Sequence, residues 1–275
     1  MSSIAYYNGT ISNCENARIG LSDRAIYFGD GVYDVMLAGG GGTYQKGLHI
    51  ERLKRNAERL EIDVPKELES AVDHMIKTYA KHCSAIYVQL SRSASERIHA
   101  PSVHTPSNLL ITVSDAHIDQ EPTPISAVTA DDVRYRMCDV KTLNLLPSVL
   151  ATIRAAQSGC EEAIFIRDGI VTEGAKSNLF IVKNGILYTH PLGWEILPGI
   201  TRENVIRIAS LLGIQCREVR FDRDALFSAD EIFITSTTKL LRQITVLDGV
   251  RVGRTSELCT TVASLLYNEA NLSIR

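Results

Sequence analysis

The spacing of hydrophobic residues along the chain follows two different periods, and each period predicts a different element. Apolar residues return every three or four positions in several segments, which is the pattern of an amphipathic helix. These predicted helices cover residues 48–60, 68–79, 145–156, 201–212 and 257–268. Other segments alternate apolar and polar residues or form short apolar runs, which indicates strands. The predicted strands cover residues 4–7, 10–19, 85–90, 109–113, 134–140 and 231–234, with a strand meander over residues 162–190.

Two glycine-rich or proline-rich stretches interrupt these elements. Residues 119–124 have low hydrophobicity and contain two prolines, so we expect a linker there, between a domain of residues 1–118 and a domain of residues 125–275. Four consecutive glycines at residues 39–42 predict the loose tip of a hairpin rather than a phosphate-binding loop, because no predicted helix begins directly after them. Helices and strands are grouped rather than strictly alternating, so the predicted fold class is α+β.

The composition is that of a globular protein, and it argues against several functional classes. The chain has 275 residues, 45% of them hydrophobic, and its net charge of −3 argues against a protein that coats nucleic-acid phosphates. No run approaches the roughly 20 apolar residues that a bilayer crossing requires. The six cysteines and seven histidines show no spacing typical of metal ligands. We therefore expect no metal site, no nucleic-acid partner and no membrane insertion, and we expect a cytoplasmic protein with reduced thiols.

Six short segments carry the candidate chemistry. They are YFGDGVYD at 27–34, HIERL at 49–53, DVKTLNLL at 139–146, TEGAKSN at 172–178, LPGITR at 197–202 and TSTT at 235–238. Together and in this order they resemble the fold type IV pyridoxal-phosphate enzymes, or class IV aminotransferases, which include D-amino-acid aminotransferases, branched-chain aminotransferases and aminodeoxychorismate lyase. The resemblance runs from the first strand to about Val246. It implies a small N-terminal α/β domain followed by a larger C-terminal pseudo-barrel domain.

The resemblance implies pyridoxal 5'-phosphate as the cofactor and assigns residues to each part of it. Lys141 matches the lysine that forms a Schiff base with the cofactor and later moves the α-proton of the substrate. Glu173 matches the carboxylate that keeps the ring nitrogen protonated, which makes the ring a better electron sink. Arg52 matches the arginine on the phosphate. The other implied phosphate ligands are Ile200 and Thr201, at a predicted helix N-terminus that can receive an anion, and Thr237 and Thr238, after a predicted strand.

Apart from the resemblance, each of these residues has a plainer interpretation. Lys141 would be an ordinary solvated lysine, and Glu173 would be a surface residue of a turn. Arg52 lies among charged residues of its predicted helix and would be one more solvated side chain. A cluster of serine and threonine after a strand is commonly a plain turn. The agreement of all six segments favours the functional interpretation.

The segment Arg97-Ile-His99 distinguishes between members of the family. It resembles the Arg-x-His of D-amino-acid aminotransferases, which binds the substrate α-carboxylate together with a tyrosine, here Tyr33. The resemblance also implies a homodimer in which Arg97 and His99 serve the neighbouring active site. A guanidinium suits this role because it can donate two parallel hydrogen bonds to a carboxylate. On spacing alone a solvated loop is the favoured interpretation, since residues 91–107 are rich in serine, histidine and proline.

The predicted function is transamination between a D-amino acid, such as D-alanine or D-glutamate, and a 2-oxo acid. The alternatives within the same fold are aminodeoxychorismate lyase, a branched-chain L-amino-acid transaminase and an R-amine transaminase. A further alternative is a binding module that carries the cofactor without processing it. Ala175 and Lys176 stand where the D-enzymes tend to carry serines. The second lysine either alters the hydrogen bonding at the cofactor or points outward.

Overall fold

A computed structural model describes residues 3–39, 42–100, 106–119, 121–253 and 257–274. The chain divides into two compact units. Unit 1 contains Met1–His117, Val140–Asn144 and Ala270–Arg275, and unit 2 contains Ile118–Asp139 and Leu145–Glu269. Two short segments thus join the first unit from the second half of the chain, which a single linker at residues 119–124 does not anticipate. Residue 120 of that predicted linker lies outside the described residues.

Unit 1 is built on an antiparallel sheet, which has six strands among the described residues, in the order β2-β1-β6-β5-β3-β4. The strands are β1 (Ile4–Tyr7), β2 (Thr10–Asn13), β3 (Gly31–Gly39), β4 (Gly42–Tyr44), β5 (Ser84–Ser91) and β6 (Asn108–Asp115). The helices are α1 (Arg24–Phe28), α2 (Lys46–Arg59) and α3 (Leu68–Tyr79). Helix α2 packs against β3. The predicted limits of α3 are confirmed, because its apolar positions recur at helical spacing without interruption.

Several predictions for unit 1 can be compared with the structure in detail. The predicted strand 10–19 ends at Asn13, where a short 3-10 turn, Cys14–Asn16, begins. The hairpin predicted at the glycine run is confirmed, since Gly39 pairs with Gly42; residues 40 and 41 lie outside the described residues. On α2 the buried face includes the polar residues His49 and Arg52. The plainer interpretation, in which Arg52 is one more solvated residue among charged neighbours, is therefore wrong.

Unit 2 is built on a mixed sheet, which has nine strands among the described residues, in the order β12-β11-β10-β13-β14-β7-β8-β9, with β15 paired to β14. The strands are β7 (Pro124–Asp131), β8 (Glu162–Arg167), β9 (Ile170–Gly174), β10 (Asn178–Lys183), β11 (Ile186–Thr189), β12 (Cys216–Glu218), β13 (Glu231–Ser236), β14 (Leu240–Leu247) and β15 (Val250–Arg251). Strand β7 runs parallel to β8 and β14, and β11 runs parallel to β12. The helices are α4 (Leu146–Gln157), α5 (Ile200–Leu211), α6 (Arg223–Phe227) and the part of α7 (Glu257–Ile274) up to Glu269.

The predicted meander forms because its turns carry residues that tolerate a left-handed backbone. Asp168 and Gly169 join β8 to β9, and Asn184 and Gly185 join β10 to β11; all four have positive φ. Two such residues in succession make the tight turn that fits the twist of a hairpin. The strand predicted over residues 134–140 is wrong. That segment is irregular and is fixed by turn hydrogen bonds and by a bond from the Cys138 N–H to the Trp194 carbonyl at 3.0 Å.

Candidate active site

Lys141 lies in a short extended segment beside β3. The Tyr33 N–H donates to the Lys141 carbonyl at 2.9 Å, and the Leu143 N–H donates to the Gly31 carbonyl at 3.0 Å. These bonds place the Lys141 Nζ over the ring of Tyr33, 4.5 Å from its centroid. The structure therefore brings together two of the predicted site residues, the proposed catalytic lysine and the proposed substrate tyrosine.

Gly31 lies where β3 approaches both β5 and the side chain of Leu143 closely. A Cβ at Gly31 would lie 2.6 Å from the carbonyl oxygen of Leu90 and 2.7 Å from Cδ1 of Leu143. Both distances are shorter than van der Waals contact; the Leu143 side chain can turn away, but the Leu90 carbonyl is backbone, so any other residue would push β3 away from β5. The second glycine of the Gly-Asp-Gly sequence at 29–31 therefore acts through packing.

The ring of Tyr33 is also held in place by a second aromatic residue of unit 1. It stacks on Tyr87 with centroids 5.4 Å apart and planes at 25°. The Tyr87 hydroxyl donates to Oε1 of Gln89 at 2.7 Å. Burial, followed by the nearby Tyr33, raises the pKa of Tyr87, so this hydroxyl stays protonated and keeps donating. The contact fixes the plane of Tyr33 beside Lys141.

Arg52 is buried and paired with Asp34 of β3. Its Nε and Nη2 donate to the two carboxylate oxygens of Asp34, each at 2.8 Å, and Nδ1 of His49 lies 2.7 Å from Oδ1 of Asp34. Burial alone would raise the pKa of Asp34, but the hydrogen bond from His49 and the charge of Arg52 outweigh it and hold that pKa far below its usual range. Burial lowers the pKa of His49 despite the carboxylate beside it. Asp34 therefore remains ionised and orients the guanidinium.

Arg97 and His99 lie in a different part of unit 1, on the exposed segment after β5. The Arg97 guanidinium is 5.6 Å from the centroid of the Phe28 ring, and the His99 ring is 5.4 Å from it. Among the described residues no hydrogen bond, ion pair or ring contact joins either side chain to Tyr33 or Lys141. The structure thus brings Arg97 and His99 together but does not join them to Lys141 within this chain.

Glu173, at the end of β9, is enclosed by donors in unit 2. Its Oε1 accepts from Nη1 of Arg134 at 2.5 Å, and its Oε2 accepts from Nδ2 of Asn178 at 2.9 Å. The Leu197 N–H also donates to the carboxylate, at 3.1 Å from Oε2. Burial raises the pKa of Glu173 to about 7, although Arg134 and the Leu197 N–H act in the opposite direction. A surface position for Glu173 is therefore wrong.

The sequence interpretation missed Arg134. Its Nε and Nη2 donate to the two oxygens of Asp132, each at 2.8 Å, while Nη1 binds Glu173. Arg167 also binds Asp132, at 2.9 Å. Arg134 is thus a largely buried bridge between two carboxylates, and it opposes the effect of burial on the pKa of Glu173. No motif in the sequence singles it out, because Asp132 is a local partner only two residues away and Glu173 lies 39 positions further along the chain.

Ile200 and Thr201 begin helix α5, as predicted to within one residue, and both are buried. The preceding residue, Gly199, offers no side chain, and within the described part of the chain no side chain caps the first turn. The first N–H groups of a helix have no partner inside it, so they can receive an anion. A Cβ at Gly199 would overlap the Oδ1 of Asn178, so any other residue here would displace the buried Asn178 side chain.

Thr237 and Thr238 form the half-buried turn between β13 and β14. Two residues earlier, Thr235 is buried, and its Oγ1 has no hydrogen-bond partner among the described residues. Thr235 pairs with Asn178 of the neighbouring strand, so the two side chains lie on the same face of the sheet. An unsatisfied buried hydroxyl beside Asn178 indicates that this face binds a polar group, because such a group is costly to leave unpaired.

The two alternatives for Lys176 are resolved by its position. The side chain is exposed, and its Nζ donates to the carbonyl of Glu161 at 3.1 Å. Next to it, Ser177 is buried and donates to Glu162 at 2.9 Å. Lys176 therefore points outward, and the hydrogen bonds that Glu173 accepts from described residues come from Arg134, Asn178 and Leu197.

Comparison with known proteins identifies the family. Residues 31–247 match the family model of amino-transferase class IV. The chain belongs to the class IV aminotransferases. It is 35% identical to the D-alanine aminotransferase of Bacillus licheniformis over 90% of this chain and 89% of the relative, and 37% identical to that of Staphylococcus epidermidis over 90% of both. These matches confirm the family predicted from the six segments.

A solved structure confirms the fold of this class IV aminotransferase. The branched-chain aminotransferase of Thermoproteus uzoniensis superposes with a TM-score of 0.84 and 26% identity, over 98% of this chain and 96% of that one. The predicted fold type IV is therefore confirmed. The described residues contain no group of three or more histidine, cysteine, aspartate or glutamate side chains arranged to hold a metal ion. None of the described helices is long and hydrophobic enough to span a membrane.

Proposed function

We propose that this class IV aminotransferase transfers an amino group between a D-amino acid, such as D-alanine or D-glutamate, and a 2-oxo acid. The observation that carries the proposed chemistry is the contact of the Lys141 Nζ with the Tyr33 ring at 4.5 Å. An amine held over an aromatic ring, on a backbone fixed by β3, is suited to move a proton to and from a substrate carbon. The preference for D-substrates is supported by the two relatives, which are D-alanine aminotransferases, and by the Arg97-Ile-His99 segment.

We propose pyridoxal 5'-phosphate as the cofactor, and the residues present fit it. When bound, this cofactor supplies an electron sink that stabilises the carbanion left by loss of the α-proton. The buried carboxylate of Glu173 fits a protonated ring nitrogen, and the unpaired hydroxyl of Thr235 fits a polar ligand on the face of the sheet that Thr235 shares with Asn178. The uncapped N-terminus of α5 and the turn at Thr237 and Thr238 fit a phosphate.

The residues of unit 1 have separate tasks in this proposal. Lys141 would hold the cofactor through its Nζ; once the substrate amine had displaced it, the freed Nζ would accept the α-proton of the substrate and later give it back. Arg52 binds the phosphate with a guanidinium that Asp34 has already oriented, so little ordering remains to be done on binding. Tyr33 and the pair Arg97 and His99 bind the substrate carboxylate. Its position determines which face of the Cα presents its hydrogen to Lys141.

We further propose that Arg97 and His99 act in the active site of a partner subunit of a homodimer. Both side chains are exposed in the single chain and have no hydrogen bond, ion pair or ring contact with Tyr33 or Lys141 among the described residues. Such a clamp is useful only when another surface completes it. We propose a cytoplasmic location as well, which fits six cysteines without a disulfide.

Branched-chain L-amino-acid transamination is the second candidate. It is favoured by one specific observation, the superposition on the Thermoproteus uzoniensis enzyme, whose structure was determined with norvaline. The two candidates share cofactor and fold, and they differ in where the substrate carboxylate binds. Arg97 is therefore the residue that separates them.

The stereochemical proposal is tested by half-reactions followed through the cofactor absorbance. D-alanine, D-glutamate, L-alanine and L-valine are each added to the holoenzyme, and 2-oxoglutarate is then added to restore the starting spectrum. We expect the D-amino acids to react much faster than their L-counterparts, and Arg97→Ala to impair the D-reactions severely. Faster turnover of L-valine, with Arg97→Ala almost unaffected, would support the second candidate instead. A yellow protein that no amino acid bleaches would indicate a binding module.

The covalent role of Lys141 is tested by borohydride reduction of the holoenzyme followed by peptide mass analysis. We expect the cofactor mass on the peptide that contains Lys141 and none on the peptide with the exposed Lys176. Labelling at any other lysine, or no labelling in a protein that retains the cofactor, would contradict the assignment. Lys176→Ala is the matched control and should be reduced and labelled as the unmodified protein is.

A further inference from the structure

Arg24 is a buried arginine to which the proposed chemistry gives no task. It begins the short helix α1, and only 4% of its surface is exposed. The helix is fixed at its start by Asp23, whose Oδ1 accepts from the Ala25 N–H at 2.9 Å. A charged side chain is rarely buried this completely unless its donors are used.

The donors of Arg24 are used, and most of them bind one segment of chain. Its Nε donates to Asp30 at 2.8 Å, which balances the charge. Its Nη1 donates to the carbonyl of Ile98 at 2.6 Å and to Oγ of Ser95 at 3.4 Å, and its Nη2 donates to the carbonyl of His99 at 3.1 Å. One rigid guanidinium therefore fixes two successive carbonyls in the segment that carries Arg97 and His99.

The ring of Phe28, one helical turn after Arg24, receives the side chains of the same segment. The Arg24 guanidinium lies 4.6 Å from its centroid, the Arg97 guanidinium 5.6 Å and the His99 ring 5.4 Å. The exposed side chains of Arg97 and His99 thus lie against the Phe28 ring. The backbone of the same segment is hydrogen-bonded to Arg24, whose guanidinium also contacts that ring. A cation near an aromatic face is attracted to it, most strongly where water is excluded.

This support matters because Arg97 and His99 lie on an irregular, exposed segment. A long arginine side chain on such a segment must be ordered before it can bind a carboxylate, and that ordering weakens binding. Backbone hydrogen bonds to a buried guanidinium and an aromatic surface under the side chains provide the order in advance.

We propose that Arg24 and Phe28 are positioning residues for the substrate-carboxylate clamp: the Arg24 guanidinium fixes the carbonyls of Ile98 and His99, and the Phe28 ring aligns the side chains of Arg97 and His99. The proposal rests on the proposed function, in which Arg97 and His99 bind the carboxylate. Neither Arg24 nor Phe28 touches the substrate in this scheme, so both act on its affinity through the clamp.

The chain offers a matched control in Arg92. This arginine also binds Asp30, through Nε at 3.0 Å, and it also donates to two successive backbone carbonyls, those of Leu60 and Glu61. Those carbonyls follow helix α2 and are remote in sequence from the clamp. Arg24→Lys and Arg92→Lys therefore each remove a guanidinium that binds Asp30 and two successive backbone carbonyls. Only Arg24→Lys releases the segment of Arg97 and His99.

The experiment measures kcat and KM for D-alanine and 2-oxoglutarate with the holoenzyme and both variants. We expect Arg24→Lys to raise both KM values about tenfold or more with a much smaller change in kcat, and Arg92→Lys to leave both KM values within about twofold. In an Arg97→Ala background, Arg24→Lys should add little, because the group on which it acts is already gone. The absorbance of the bound cofactor should be unchanged in Arg24→Lys.

Equal effects of Arg24→Lys and Arg92→Lys, or full additivity with Arg97→Ala, would overturn the proposal. If Arg24→Lys does not fold, Phe28→Leu tests the same alignment with the backbone hydrogen bonds intact: a raised KM with unchanged kcat supports it, and an unchanged KM overturns it. Unmodified enzyme that turns over only L-amino acids would instead overturn the proposed function, and the two failures are therefore distinguishable.

Discussion

The guanidinium of Arg52 binds both carboxylate oxygens of Asp34, with Nε and Nη2 donating at 2.8 Å each. The pair joins helix α2 to strand β3, and neither side chain has more than 4% of its surface exposed. Two buried opposite charges in this geometry are costly to separate, although the pair as a whole adds less to stability than its short distances indicate. Its value to the protein is that it fixes the direction of Arg52.

Replacing Asp34 by asparagine should therefore destabilise the fold and weaken cofactor binding. Arg52 would keep its charge in a buried position without a counter-charge, which costs roughly 3–5 kcal/mol of the free energy of unfolding. Urea unfolding and a cofactor titration measure the two effects. Asp73→Asn is the control, because Asp73 pairs with Lys46 at the surface and such pairs contribute about 0–1 kcal/mol. Equal stability losses in the two variants would contradict the buried-pair argument.

The same pair predicts how stability depends on acid. The pKa of Asp34 is lowered in the fold, so its stabilising contribution is complete above its unfolded value of about 3.9 and is lost as the pH falls below it. The difference in unfolding free energy between the unmodified protein and Asp34→Asn should be constant above about pH 5 and should shrink below about pH 4. Urea unfolding at several pH values measures it. A difference that persists unchanged to pH 3 would be inconsistent with an ionised Asp34.

Much of the fold could be predicted from the sequence because the deciding interactions are local. Helix α3 has its predicted limits, and the hairpin turns at Asp168-Gly169 and Asn184-Gly185 are specified by residues that tolerate positive φ. The strand predicted over residues 134–140 failed for the opposite reason. Its apolar residues imitate a strand, but its conformation is fixed by distant partners, such as the carbonyl of Trp194.

The candidate site also has a part that could be predicted from the sequence and a part that could not. Lys141, Glu173 and Arg52 were predicted through motifs, whereas nothing in the sequence predicted that Arg52 pairs with Asp34 or that Glu173 pairs with Arg134. Asp34 orients Arg52 from 18 positions away, and Arg134 contacts Glu173 from 39 positions away. Single charged residues at such separations cannot be paired without the topology of the sheets, so the electrostatics of the site emerge only from the structure.

Replacing Gly31 by alanine should strain the packing of β3 against β5, next to the position where β3 binds the segment of Lys141. The added Cβ would meet the backbone carbonyl of Leu90 at 2.6 Å and the side chain of Leu143 at 2.7 Å. We expect a lower melting temperature and a cofactor absorbance that is weaker at a given cofactor concentration. Gly47→Ala in helix α2 is the control, since its Cβ would meet nothing within 4 Å and alanine favours a helix by up to about 1 kcal/mol. If the two variants behave alike, the packing role of Gly31 is wrong.

The buried carboxylate of Glu173 predicts a second pH dependence, of opposite sign. Its pKa is about 7 in the fold, raised by burial, whereas an unfolded glutamate titrates at about 4.3. Between these values the folded protein retains a proton that the unfolded chain releases, so rising pH favours unfolding. The cofactor-free protein should lose roughly 4 kcal/mol across this window through Glu173. Unfolding by urea at pH 5, 6, 7 and 8 should show the loss, and Glu173→Gln should abolish it.

Arg134 affects the upper pH limit of this window, which is the pKa of Glu173 in the folded protein. Its positive charge and its hydrogen bond at 2.5 Å lower the pKa of Glu173, so they oppose the effect of burial. Arg134→Met removes both, and the upper end of the window should move to higher pH, with Glu173 protonated at neutrality. A carboxyl group in that state could not favour a protonated ring nitrogen, so turnover at pH 7 should fall at least about tenfold, which corresponds to 1.4 kcal/mol in the barrier. An Arg134→Met protein with an unshifted window would mean that burial alone determines the ionisation of Glu173.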